Sequence, residues 1–186
     1  NVSIPTELNY IQEKYLDEAS KLFKNDKKYV GFSITAGHPT RKKEISLKTI
    51  VEVANYFSDK NFVPTFFIEE KYEDKINTIK TMVKNSYFPE HFVKSSLRNP
   101  FLVIAMGKKL HSAISINNGI MHMLGLAGTK TAVFFDENSD KFKPLNDNKS
   151  KIYCSSKSNN KKTKDLTSED VINFIKDFIW LIPLYY

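Results

Sequence analysis

Ser112-Ala113-Ile114-Ser115-Ile116-Asn117-Asn118-Gly119-Ile120-Met121-His122-Met123-Leu124-Gly125-Leu126-Ala127-Gly128 is the stretch on which the fold turns. Its first five residues read as a short strand. If Asn118-Gly119 were a hairpin turn, a second alternating strand would come next. Ile120 to Ala127 instead lacks period-two alternation and closes on Gly128, a residue suited to a helix C-terminus. The reading is strand, tight turn, helix, with the N–H groups around Gly119 to Met121 aimed outward. A helix start of that kind favours an anion through its free donors and its dipole. His122 falls within the first turn or so. It is either a satisfied core histidine on an apolar helix or a further donor to that anion.

Upstream and downstream, the same alternation of strand and helix repeats. Apolar residues at Leu8, Ile11, Tyr15, Leu16, Ala19, Leu22 and Phe23 give helical spacing over Thr6 to Lys24, after Pro5 at a tolerated first-turn position. Tyr29 to Ile34 is a strand running into the loop Thr35-Ala36-Gly37-His38-Pro39. Ser46 caps a helix through about Phe57. Phe62 to Ile68 is a second strand, and Glu70 to Val83 a polar helix. Asn85 to Asn99 shows no clear period. Phe101 to Leu110 then reads as helix, Thr131 to Phe135 as strand and Lys151 to Cys154 as a short edge strand. Thr167-Ser168-Glu169-Asp170 opens a final capped helix to about Ile182. The fold class is therefore α/β: one Rossmann-like parallel sheet with helices on both faces, preceded over residues 1–25 by a helix of an interdomain connection. In such sheets ligands bind beyond the carboxyl ends of the strands, where strand order reverses.

The bulk numbers fit one domain. The chain has 186 residues, 41% of them hydrophobic, enough for a single core. No apolar run reaches the roughly 18 residues of a membrane span. The start, Asn1-Val2-Ser3-Ile4-Pro5, has neither Met nor a secretory signal, as expected of a processed chain or a piece of a longer one. Cys154 is the lone cysteine, which excludes an internal disulfide framework and a Cys-based metal site and fits a reducing, cytoplasmic compartment. The net charge of +7 suits anionic partners, though a Lys-rich source composition would produce it equally.

Two strand ends carry candidate chemistry: the Asn117 turn, and Thr35 to Lys43. In the second, Gly37 permits close backbone approach, and Thr40 with the cations of Arg41, Lys42 and Lys43 can meet phosphate oxygens. The same residues also describe a solvated basic loop. No Walker motif, no G-x-G-x-x-G and no Asp-x-Asp metal signature occurs, so no cofactor and no metal are expected. His38, His91, His111 and His122 lack metal-ligand spacing. Glu69-Glu70 with Glu73-Asp74 suits the start of a helix, and one of them can bond a ribose hydroxyl. The Lys-rich stretch from Lys141 to Lys164 lacks aromatics at RNA-binding spacing and reads as a solvated loop, with nucleic-acid binding through it as a third, lesser reading.

At these two strand ends the sequence resembles the carboxyl-terminal half of glycosyltransferase family 9, the ADP-heptose:lipopolysaccharide heptosyltransferases. That family shows an apolar strand, a Gly/His/Thr loop with a Lys before a helix, and later an Asp-Ser/Thr-Gly-x-x-His signature. The corresponding residues are Gly31 to Thr40 with Lys43, then Asn117-Asn118-Gly119-Ile120-Met121-His122. Gly128 to Phe135, Lys143-Pro144-Leu145 and Leu166 to Val171 resemble the family's segments downstream of that signature. The likeness spans most of Tyr29 to Ile179, and the Gly-x-x-His segment is its specific part.

The resemblance implies one half of a two-domain GT-B fold, with residues 26–186 as the nucleotide-sugar-binding domain. It implies an enzyme: a metal-independent, inverting glycosyltransferase acting on lipopolysaccharide or another cell-envelope glycan. Thr40 and Lys43 would lie near the donor phosphates or sugar. Asn117, Asn118, Gly119, Met121 and His122 would surround the diphosphate of an ADP-heptose-like donor, and Glu73 would make the acidic donor contact. The catalytic residue is unknown in this chain, because the family's Asp base and its lipid-linked or glycan acceptor belong to an amino-terminal domain that the first 25 or so residues cannot hold. The implied location is cytoplasmic, at the inner face of the bacterial inner membrane, with peripheral membrane contact and no nucleic-acid partner. Two departures stand out: Asn117 replaces the family's Asp, and Ile45 its Trp. A non-catalytic module that binds a phosphorylated ligand or a protein is the alternative.

Overall fold

In the computed structural model, residues 11–37, 43–144, 147–157 and 161–180 are described. Thr6 to Tyr10 of the expected first helix, Thr40 with its neighbours His38 to Lys42, and the aromatic tail from Leu181 onward lie outside the described residues. The elements are α1 (Glu13–Leu22), β1 (Lys28–Ser33), α2 (Leu47–Ser58), β2 (Phe62–Phe66), α3 (Glu73–Met82), α4 (Pro100–Gly107), β3 (Ser112–Ile116), α5 (Gly119–Leu126), β4 (Thr131–Phe135), α6 (Ser139–Phe142), β5 (Ser150–Cys154) and α7 (Ser168–Trp180). Among the described residues no helix is long and apolar enough to cross a membrane.

The five strands form one sheet in the order β2-β1-β3-β4-β5, every pair parallel. Val30 is in register with Ser112 and Phe32 with Ile114 across the central pair. Side chains alternate between the two faces of the strands. Val30, Phe32, Ile114, Ile116, Ala132 and Phe134 join the core under α2, α3 and α7. Tyr29 and Ala113 face α1 and α4 in the second core. Right-handed crossovers account for this division. The β1-to-β2 connection runs one way across the sheet through α2. The connections to β3 and β4 run the other way, and α4 and α5, the helices on either side of β3 in sequence, cover the opposite face, while α3 packs on the face of α2. Burying each phenylalanine such as Phe32, Phe66 or Phe134 contributes about 1.5–3 kcal/mol.

Local signals explain the element boundaries. Ser46 Oγ accepts the Thr49 N–H at 3.1 Å and starts α2. Thr167 and Asp170 bond reciprocally at the head of α7, with Thr167 N–H to Asp170 Oδ2 at 2.8 Å and Asp170 N–H to Thr167 Oγ1 at 3.2 Å. Helix α5 ends in paired bonds from Gly128 N–H to Gly125 O and from Thr129 N–H to Leu124 O, both 3.0 Å, with Gly128 left-handed at φ +71°. Residues Leu102 to Gly107 of α4 are all buried, since it is sandwiched between α1 and α5. On that face Tyr15 and Ala19 of α1 are core residues, so this helix docks on the sheet domain itself. The segment without sequence period, 85–99, folds as two 3-10 turns, Pro89–Phe92 and Ser95–Leu97. Tyr87 ties it to the sheet, donating its N–H to Pro64 O and accepting from Phe66 N–H at 2.8 and 2.7 Å.

Candidate functional site at the carboxyl edge of the sheet

With strand order β2-β1-β3-β4-β5, the direction of crossover reverses between β1 and β3. The chain leaves β1 toward one side and β3 toward the other, which opens a crevice at their carboxyl ends. Both stretches with candidate chemistry leave from these two strands.

Asn118 closes the crevice floor. It is the N-cap of α5, with its Oδ1 accepting the Met121 N–H at 3.0 Å. Its Nδ2 donates to Ser33 Oγ at 2.8 Å and to the Thr35 carbonyl at 3.0 Å. One side chain thus caps the helix and fastens it to the end of β1. Two site expectations change in meaning. The Asn118 amide hydrogens are both used inside the protein, and Met121 has its N–H taken by the cap and its side chain fully buried. The outward donors of the first turn are therefore Gly119, which is exposed, and Ile120.

Lys43 reaches the same place from the other strand. Its Nζ donates to the Asn117 carbonyl at 3.2 Å, putting the ammonium beside the turn that opens α5. Glu44, next in sequence, accepts the Ala36 N–H on Oε1 at 2.9 Å and pairs through Oε2 with Lys75 of α3. Both Glu44 and Lys75 have side chains 30% exposed. Gly37, left-handed and exposed, begins the loop that Ala36 and Glu44 bracket. Thr40 falls outside the described residues. His122 is half-buried in α5, and burial holds its imidazole below the ordinary 6.5, toward the neutral form.

Beside the first turn of α5 lies a pocket of about 360 Å³. Ile120 and Met123 line it from α5, Glu69 and Glu70 from the loop after β2, and Arg98 and Glu90 from the 3-10 segment. Arg98 donates to Glu70 Oε1 at 2.7 Å and to the Val93 carbonyl at 2.9 Å. Burial pushes the Glu90 carboxyl up, Arg98 opposes that shift and Glu69 reinforces it. Glu73, the expected acidic contact, is exposed at the head of α3 and is not among the residues that line this pocket, whereas Glu69 and Glu70 are. Glu44, Glu90 and Arg98 sit in no motif that would single them out in the sequence. Among the described residues no three His, Cys, Asp or Glu side chains converge as metal ligands.

No protein-family model matches the chain, and no curated protein matches it in sequence. Solved structures do match its fold. The glycosyltransferase family 9 protein of Veillonella parvula is 14% identical with a TM-score of 0.74, covering 91% of this chain and 52% of its own. E. coli ADP-heptose LPS heptosyltransferase II is 12% identical with a TM-score of 0.66 and the same coverage of 91% and 52%. E. coli heptosyltransferase WaaC with ADP is 12% identical with a TM-score of 0.68, covering 88% of this chain and 48% of that one. The chain spans about half the length of these structures and shares with them the Rossmann-like half of a glycosyltransferase fold.

Proposed function

We propose that residues 26–186 form the donor-binding half of a metal-independent, inverting, heptosyltransferase-like glycosyltransferase, with residues 1–25 as the linking helix. The observation that carries this reading is the convergence of Lys43 and the α5 N-terminus on one point at the β1/β3 crevice. A donor diphosphate there would accept from Gly119 and Ile120 N–H and meet the positive end of the α5 dipole. Lys43 and His122 would add charge and a further donor. The adjoining pocket would take the nucleoside, with Glu69 or Glu70 accepting from ribose hydroxyls. The solved E. coli structure with ADP supports a nucleotide ligand for this fold.

The reaction would be displacement at the anomeric carbon. An acceptor hydroxyl oxygen bonds to that carbon as the bond to the diphosphate oxygen breaks. The acceptor proton leaves to a base outside this chain, and the electron pair to the departing nucleoside diphosphate. Preorganised N–H groups and Lys43 would stabilise the charge developing there. The acceptor would be a lipid-linked or glycan group of the cell envelope, brought by an amino-terminal domain at the cytoplasmic face of the inner membrane.

A second reading is a module that holds a phosphorylated ligand or a protein without catalysis. Asn117, where the family resembled has Asp, favours it. Calorimetry with ADP, UDP and GDP sugars tests the nucleotide site on which the first reading rests. Binding without turnover by this chain alone is expected, and no binding of any of them at millimolar concentration would sink the donor-site reading.

A further inference from the structure

We infer that Glu44 is a positioning residue for the crevice, holding Lys43 at the helix start while Lys75 offsets its charge. The inference rests on the donor-site reading of that crevice. Glu44 makes a hydrogen bond eight residues back to the Ala36 N–H and an ion pair 31 residues forward to Lys75. The Ala36 bond closes the β1 loop on itself. The Lys75 pair fastens that loop to α3. Lys43 is covalently next to Glu44, so wherever the Glu44 backbone is set, the root of the Lys43 side chain is set with it. Lys43 in turn bonds Asn117 O, and Asn118 ties the far side of the crevice to Ser33 and Thr35. The ends of β1 and β3 and the head of α3 thereby form one braced frame.

A carboxylate beside an anion site is otherwise unfavourable, and this gives the test its sign. If Glu44 acted only through its charge, removing it would tighten binding of a nucleoside diphosphate. A positioning role predicts the reverse, because Lys43 would then have to be ordered on binding. The experiment measures ADP affinity by calorimetry and unfolding by urea for the wild type, E44Q, E44A and K75M. E44Q keeps an acceptor for the Ala36 N–H and is expected to stay within about threefold of wild type. E44A is expected to bind about tenfold more weakly, and K75M to weaken binding although it leaves Lys43 in place. E44A binding ADP as tightly as wild type or tighter overturns the inference. Should E44A fail to fold, E44Q decides: affinity more than about threefold tighter than wild type, as removal of the charge alone would give, overturns the inference. Should wild type bind no nucleotide, the donor-site reading fails by itself. Hydrogen exchange at the Ala36 amide then reads the brace directly: protection in wild type lost in E44A supports it, and no protection in wild type overturns it.

Discussion

Lys43 and Asn117, 74 residues apart in sequence, are joined by a 3.2 Å hydrogen bond from Nζ to the carbonyl oxygen. The bond ties the loop after β1 to the turn that opens α5. It also holds an ammonium where the first-turn amides face outward. Replacing Lys43 by Met removes the cation while keeping much of the apolar stem. Nucleotide affinity should fall about tenfold, whereas the unfolding free energy should change by only about 1 kcal/mol, the worth of one ordinary hydrogen bond. Calorimetry and urea unfolding on one preparation separate the two effects.

Asn118 should behave in the opposite way. Asn118→Ala deletes a helix cap and leaves the fully buried Ser33 hydroxyl without its donor. A lost cap costs about 1 kcal/mol and an orphaned buried polar group about 1–3 kcal/mol, so a loss near 2–3 kcal/mol is expected. Asn118→Asp keeps the cap acceptor but not the two donated bonds, and should fall between. Urea midpoints of the three proteins check the order.

Two glycines separate packing from binding. A Cβ on Gly107 would stand 2.7 Å from Ala127 Cβ and 3.0 Å from Thr129 Oγ1, where α4 and α5 meet. Gly107→Ala should therefore cost about 1–3 kcal/mol through overpacking. A Cβ on Gly119 meets nothing within 4 Å. Gly119→Ala should leave stability unchanged or slightly higher, since it favours the helix, yet Gly119→Val should crowd the outward N–H and weaken nucleotide binding. Equal binding by wild type and Gly119→Val would count against a diphosphate at this turn.

Legibility from sequence tracks the range of the interactions. Ser112–Ile116 and Thr131–Phe135 are apolar runs bounded by turn residues, and both strands have those limits in the structure. Ser46 and Thr167 announce their helices because a cap acts within three residues. The bond that joins Tyr87 to Pro64 leaves no such mark, and 85–99 has no readable period. Glu44 is silent in the sequence for the same reason, as one partner lies eight residues back in the loop after β1 and the other in α3. At Asn118 the residue type suggests a ligand contact, while the fold uses its amide to hold two strand ends together. Residue spacing locates the crevice, and only the tertiary structure assigns bonds within it.

The acid side of stability should fall in two steps. Above about pH 6.5 His122 and His111 are neutral in both states. Burial lowers the first, and burial followed by Lys28 and Lys130 lowers the second, from the ordinary 6.5. Below that value the unfolded chain binds more protons than the fold, so stability is lost as pH falls. Lys161 and the Thr167 N–H hold Asp170 down at about 2, so its contribution, present above 3.8, disappears between there and 2. Glu90, pushed up by burial, runs the other way and stabilises below 4.5. Urea midpoints from pH 7.5 to 3 should show the first step, and His122→Gln should reduce it.

A bound diphosphate would reverse the first shift at His122, because a nearby anion favours the imidazolium. Binding near pH 6 should then take up protons, and affinity should rise as pH falls below about 6.5. Calorimetry in two buffers of different ionisation enthalpy measures that uptake. Wild type should show it and His122→Gln should not. Uptake that persists in His122→Gln would assign the proton to another group and leave His122 as a core residue.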